Sequence, residues 1–238
     1  MVVMWKEKFL NKVVCGDCLE LLKEIPDNSV DLVLTDPPYA LGGYSGRGSF
    51  EAVINDDKTE LELKYWIKQI FFEFKRILKD GGCFFVFIDY RHLVVFHEIL
   101  NRVLGVNNVL VWDKELISMG RPFRNCYELI VFGYKGNPVF KRFDISNVLR
   151  FRRLDACNMV HPTEKPVRLF SFLIENFSND DGIVLDSFLG SGTTAVACKR
   201  LNRNFIGIEI DPGYCKIAEK RLKNIPEKLK RWFEVKTW

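Results

Sequence analysis

The chain has 238 residues, a length that suits one large domain or one domain with an inserted subdomain, and its 47% apolar and 28% charged residues are the proportions of a soluble globular protein, which excludes global disorder. Its 16 Gly and 9 Pro follow no period, which excludes collagen-like and low-complexity architectures. Thirty-five basic against 31 acidic residues leave a net charge of +4, too little by itself to identify a partner. The longest apolar run, Cys83 to Ile88, is far short of a bilayer span. Lys6, Glu7 and Lys8 interrupt any signal-peptide block near the start, so a cytoplasmic protein with no membrane partner is expected. Seven cysteines, an odd number spread over the chain, do not make a secreted disulfide framework. Cys15 and Cys18 have C-x-x-C spacing, but no second ligand pair follows, and no metal site is expected.

The elements alternate. Val13 to Asp17 supplies a first candidate strand. Asp31-Leu-Val-Leu-Thr35 is a short apolar run stopped by Asp36-Pro37-Pro38, a buried strand with a hard end. Leu63, Trp66, Ile67, Ile70, Phe74, Ile77 and Leu78 recur at helical spacing, after a Thr59/Glu62 capping box and before Gly81-Gly82, which should end the helix. Cys83 to Ile88 reads as a second buried strand and Leu93 to Val103 as a helix. Val109–Trp112 and Glu128–Tyr134 read as two strands joined around Gly120-Arg121-Pro122, and residues 136–160 show no period. Val167, Phe170, Leu173, Ile174 and Phe177 mark another amphipathic helix. Then come a strand (Ile183–Ser187), a helix (Thr193–Leu201), a strand (Phe205–Ile210) and a last helix, capped by Asp211-Pro212, to about Leu222. This order predicts a doubly wound α/β fold with a mostly parallel twisted sheet and one antiparallel hairpin.

Two turns carry chemistry. The segment Asp186-Ser-Phe-Leu-Gly190-Ser-Gly192-Thr-Thr-Ala195 sets G-x-G-x-x-A between a strand and a helix, and Glu209 ends the next strand 19 positions after Gly190. Gly190 permits a tight turn, Gly192 close approach of a ligand, and Ala195 close packing of the helix; a carboxylate at Glu209 accepts ribose hydroxyls. Together these point to a nucleoside cofactor, the alternative being a tight turn beside a surface glutamate. One helix alone follows the Glu209 strand, so the neighbouring strand must come from elsewhere, and Val13 to Asp17 is a candidate that would put Asp17 beside Glu209 in a circularly permuted Rossmann sheet. The second turn, Asp36-Pro37-Pro38-Tyr39, has lost two backbone donors and presents a carboxylate and a bare carbonyl beside an aromatic ring. That arrangement matches an exocyclic amino group on a planar base; a rigid strand-end turn with a packed tyrosine is the alternative.

Asp36-Pro37-Pro38-Tyr39, His161-Pro-Thr-Glu-Lys-Pro166 and Asp186 to Thr194, in that order, resemble the β-group of S-adenosylmethionine-dependent DNA amino-methyltransferases, over nearly the whole chain. The resemblance implies one methyltransferase domain over 1–238 with S-adenosylmethionine as cofactor and no metal. Asp at the first position goes with N6-adenine, whereas Ser goes with N4-cytosine. The implied reaction moves a methyl group to the N6 amino group of a flipped adenine. An N4-cytosine enzyme and a catalytically silent cofactor- and DNA-binding subunit are the competing readings. A nicotinamide oxidoreductase would account for Gly190, Gly192 and Glu209 but not for Asp36 to Tyr39.

By the same resemblance, Asp36 and the Pro37 carbonyl accept the amino protons, Pro38 fixes the turn and Tyr39 stacks on the base. Asp17, Asp36, His161, Thr163, Lys165, Asp186, Phe188, Gly190, Ser191, Gly192, Thr193 and Glu209 form the cofactor site. For Thr163 and Lys165 the alternative is helix initiation, with Thr163 as cap and Pro166 in the first turn. Nine basic residues oppose three acidic ones between Lys114 and Arg153, a local excess suited to a polyanion. Residues 136–160 lie where this family keeps its target-recognition region, although the segment is short for that role. Arg47, Arg121, Arg124, Lys141, Arg142, Arg150, Arg152 and Arg153 are expected on DNA, most of them on phosphates. Residues 40–58, rich in glycine, are read as a mobile loop closing over the base. The implied partner is double-stranded DNA, with a homodimer and a cognate restriction enzyme as further partners of this group.

Overall fold

The computed structural model describes residues 2–38, 59–117, 122–138, 140–154 and 164–225. In chain order the elements are α1 (Val2–Phe9), β1 (Lys12–Cys15), α2 (Cys18–Lys23), β2 (Val30–Thr35), α3 (Glu60–Ile77), β3 (Leu78–Ile88), α4 (Leu93–Val103) and β4 (Asn108–Asp113). There follow β5 (Tyr127–Tyr134), β6 (Val148–Arg150), α5 (Val167–Phe177), β7 (Ile183–Asp186), α6 (Thr193–Arg200), β8 (Asn204–Glu209) and α7 (Pro212–Lys223). The strands make one sheet in the order β1-β8-β7-β2-β3-β5-β4-β6. The first five are mutually parallel, β5 runs antiparallel to β3 and β4, and β6 is parallel to β4.

The period of two along the strands sorts the core. Val33, Phe84, Val86 and Ile88 face one layer with α2, α3 and α4, whereas Leu32, Leu34, Phe85 and Phe87 face the other with α5, α6 and α7. Because both faces are covered, β2 and β7 are apolar almost throughout, as parallel strands of an α/β sheet must be. The expected pairing of chain ends is present: β1 lies against β8, with Cys15 opposite Glu209. The fold is the permuted, Rossmann-like arrangement.

Three expectations need correction. Gly81-Gly82 does not end α3. The helix stops at Ile77, because fully buried Leu78 turns extended to pair with Val30. The two glycines fall inside β3, where the register jumps from Val30↔Leu78 to Leu32↔Cys83, and Gly81 takes up φ 78° while its N–H reaches Lys135 O. Residues 136–160 include an edge strand, β6, too short to show a period. Pro166 is the N-cap of α5 rather than a residue of its first turn. The Thr59/Glu62 capping box is present as expected.

Candidate active site

All parallel strands point the same way, so their C-terminal ends share one edge, and they deliver a carboxylate from each of four neighbours. In spatial order these are Asp17 after β1, Glu209 of β8, Asp186 of β7 and Asp36 after β2. At about 4.8 Å per strand step, the row covers about 14 Å, the reach of an extended nucleoside–amino-acid ligand. Between β7 and β2 the strand order reverses: β7 leads through α6 to β8 on one side, and β2 leads through α3 to β3 on the other. Such a switch point opens a crevice at the strand ends. Asp186 and Asp36 flank it, and Thr35 Oγ1 donates across it to Asp186 Oδ1 at 2.8 Å.

The glycine turn sits on the β7 side. Gly190 (φ 54°) and Gly192 (φ 92°) adopt left-handed backbone, which selects glycine. The room at Gly192 is taken up by α7, since a Cβ there would lie 2.8 Å from Ala218 Cβ. Glu209 holds the turn by accepting from Gly190 N–H at 2.7 Å and from Asp211 N–H at 2.9 Å. Its burial raises the carboxyl above the usual glutamate range, despite those donors. Gly16 N–H donates to Glu209 O at 2.9 Å, which sets exposed Asp17 next to this carboxylate. Asp17 also caps α2 through Leu19 N–H at 2.7 Å. Phe188 leans on Trp66 of α3, ring centroids 5.5 Å apart.

Asp186 is buried and accepts from Thr35, from Thr194 Oγ1 and from Phe188 N–H. Burial outweighs these donors and pushes its carboxyl up to about 6. A carboxyl raised on folding stabilises the native state at low pH, and that contribution is lost as pH rises through about 6. Asp186→Asn, which cannot ionise, is therefore expected to gain stability relative to the parent between pH 5 and pH 8. Urea unfolding at the two pH values checks this, and a difference independent of pH would refute it.

On the β2 side, Lys165 reaches across the end of β3. Its Nζ donates to Asp36 Oδ2, lies 3.3 Å from Glu128 Oε2 of β5 and stands 5.4 Å from the Phe87 ring centre. The lysine side chain is 8% exposed. Burial pulls its ammonium down, but the two carboxylates outweigh that and hold it above the ordinary lysine range. Lys114 closes the chain of charges, with Nζ 2.6 Å from Glu128 Oε1 and 5.5 Å from the Trp112 ring centre. Burial acts to raise Glu128, and the two lysines overcome it and hold it below the usual range.

The comparisons with known proteins fit this geometry. The family model for N6 and N4 methyltransferases, described as DNA methylase, matches residues 30–220. The chain belongs to the DNA methylase family. It is 30% identical to the type II methyltransferase M.HpaI of Haemophilus parainfluenzae, over 92% of this chain and 79% of that relative. The structure of M1.HpyAVI in complex with SAM is 27% identical, with a TM-score of 0.69 over 90% of this chain and 99% of that one. The PvuII DNA methyltransferase, described as cytosine-N4-specific, shares the fold at 22% identity, with a TM-score of 0.72 over 90% of this chain and 88% of that one.

In this DNA methylase the sheet edge gathers Asp17, Asp36, Pro37, Pro38, Lys165, Asp186, Phe188, Gly190, Ser191, Gly192, Thr193 and Glu209. Tyr39, Arg47, Arg121, His161 and Thr163 lie outside the described residues, as does the loop expected at 40–58. Three participants were not evident from sequence. Glu128 and Lys114 were visible only as charges at strand ends. Arg221 of α7 donates to Ser191 Oγ at 2.7 Å and Ser191 O at 2.8 Å, and pairs with Glu164 at 2.7 Å, so it ties the glycine turn to the segment that carries Lys165.

The basic residues divide. Arg150 ends β6, and Arg152 and Arg153 follow it at the sheet edge that carries Asp36 and Asp186, where Arg153 N–H bonds Lys114 O at 3.1 Å. Arg124 is exposed just before β5, at the same edge. Lys141 sits at the opposite edge and donates to the carbonyls of Glu175 and Ser178 at the end of α5, and Arg142 forms a fork with Asp144. Of the C-x-x-C pair, Cys15 is exposed and Cys18 is buried, and burial pushes the Cys18 thiol up to about 12. Among the described residues, no helix is long and apolar enough to cross a membrane.

Proposed function

We propose that this DNA methylase transfers a methyl group from S-adenosylmethionine to the N6 amino group of an adenine flipped out of double-stranded DNA. The observation that carries the reading is the adjacency of Asp36-Pro37 and the glycine turn across the switch point, joined by the Thr35–Asp186 hydrogen bond. The donor set fits the cofactor. Glu209 can accept a ribose diol with its remaining lone pairs, Asp17 an adenine amine, and the anionic Asp186 side favours a cationic amino-acid end. Bound there, the cofactor supplies an electrophilic sulfonium methyl.

The chain's own residues do the rest. An adenine amino group is a poor nucleophile because its lone pair is delocalised into the ring. Asp36 and the Pro37 carbonyl accept its two N–H bonds and so favour the positive charge that develops on nitrogen as the N–C bond forms; the S–CH3 bond breaks with its electron pair left on a neutral thioether, and the methylated nitrogen then releases one proton to solvent. Both acceptors are fixed by consecutive prolines at a strand end, which keeps reorganisation small. The base is unreachable inside a duplex, and flipping it costs a few kcal/mol, which contacts in the site must offset.

Arg124, Arg150, Arg152 and Arg153 at the catalytic edge are the proposed DNA contacts. Replacing Arg150, Arg152 and Arg153 together by Gln should weaken DNA binding and lower the slope of log K against log salt by roughly one per lost phosphate contact. An unchanged slope would remove these arginines from the DNA face.

Adenine rests on Asp36, the acidic member at the first turn position. The test is expression in a host that lacks N6-adenine and N4-cytosine methylation, followed by digestion of its DNA to nucleosides. N6-methyladenine is the expected product. N4-methylcytosine would retain the chemistry and overturn the choice of base.

A further inference from the structure

Glu128 touches neither the glycine turn nor Asp36 in the contacts described above, yet it is the second carboxylate on the lysine that Asp36 holds. The four charges alternate in sign from contact to contact, Lys114, Glu128, Lys165 and Asp36, and sum to zero. The far end is anchored. Lys114 packs over Trp112, whose indole N–H donates to Phe151 O at 2.7 Å, and the backbone of Lys114 is bonded to both Cys126 and Arg153.

We propose that Glu128, held by Lys114, is a positioning residue for methyl transfer: it shares the Lys165 ammonium with Asp36 and thereby fixes where the Asp36 carboxylate points. The inference rests on the reading of Asp36 as acceptor of the base amino group. A buried ammonium with a single carboxylate closes on it, and both oxygens are drawn towards the lysine. A second carboxylate on the same ammonium competes with Asp36 for its N–H donors and so weakens the hold of the lysine on the Asp36 oxygens, whose several lone pairs also serve a substrate N–H. Glu128 lies on β5 and Asp36 follows β2, so the rigid β2-β3-β5 ladder sets the span between the two acceptors.

The test compares wild type, Glu128→Gln, Lys114→Met and the double variant in single-turnover methyl transfer at saturating cofactor and DNA. Equilibrium affinities for S-adenosylhomocysteine and DNA are measured alongside, with thermal melting. The double variant matters because it restores charge balance, so it remains testable if Glu128→Gln alone does not fold. Each single variant is expected to slow transfer about 10- to 100-fold, the scale of a misplacement of about 1 Å at a reacting centre, with both affinities within about twofold of wild type. The double variant should be no slower than the slower single one, because the two residues act as a unit. Wild-type rates in the double variant would overturn the proposal. So would losses that follow cofactor affinity or folded fraction, which a merely structural role would produce. Asp36→Asn run in parallel separates the failures: full activity there removes the need for a carboxylate at this position, on which the inference rests, whereas its inactivity beside a fully active Glu128→Gln removes only the role of Glu128.

Discussion

Asp36→Asn is expected to lower the rate of methyl transfer by at least about 10²–10³-fold, the scale seen when one preorganised electrostatic partner of a transition state is removed. The asparagine keeps the volume of the side chain but cannot hold an anion against the charge that develops on the amino nitrogen. S-adenosylhomocysteine affinity should change little, since Glu209, Asp186 and the glycine turn are anchored by bonds that do not involve Asp36. Asparagine is a better probe than alanine here. Truncation would leave Lys165 with Glu128 as its one carboxylate among the contacts described, and halving the counter-charge of a buried ammonium destabilises the chain. Rapid-quench transfer assays paired with cofactor titration check both halves, and turnover near the wild-type rate would remove the Asp36 charge from the chemistry.

Glu209→Ala should act on the other half of the site. The carboxylate is proposed to accept two ribose hydroxyls, and hydrogen bonds to a charged acceptor contribute about 1.5–3 kcal/mol each. Its loss also frees the N–H groups of Gly190 and Asp211 and so loosens the turn. A fall in cofactor affinity of about 100-fold or more is expected on that scale. Transfer should recover in part at high cofactor concentration, because Asp36 and its partners are untouched. Calorimetric titration with S-adenosylhomocysteine measures the first effect. Unchanged affinity would move the ribose away from β8.

The parts of the site that are local in sequence were legible before the fold was known. Strand, glycine turn, helix and terminal carboxylate follow one another from Ile183 to Glu209, and each feature has its own physical reason. The permuted pairing of β1 with β8 was legible as well, because the Glu209 strand needed a neighbour and Val13 to Asp17 could supply it. What escaped depends on register between distant elements. Glu128 reads as the first residue of an apolar strand. It acquires a role only when the hairpin places it opposite Trp112, near Lys114, and Lys165 arrives from the segment before α5. A lysine and a glutamate at facing ends of a predicted hairpin were the available signal. Counting positive charge could not separate Lys141, which caps a helix at the far edge, from Arg150, Arg152 and Arg153 at the edge that carries Asp36. Gly81-Gly82 misled for a similar reason: burial of Leu78 against β2 outweighed the local stop signal.

The central claim is that one sheet edge binds the methyl donor and receives an adenine amine beside it. Its most direct measurement is a single-turnover incubation of the purified chain with methyl-labelled S-adenosylmethionine and unmethylated duplex DNA of mixed sequence, with the labelled nucleoside identified by mass. Label in N6-methyladenine is the expected result. Cofactor and DNA bound together, with no label on any base, would contradict it.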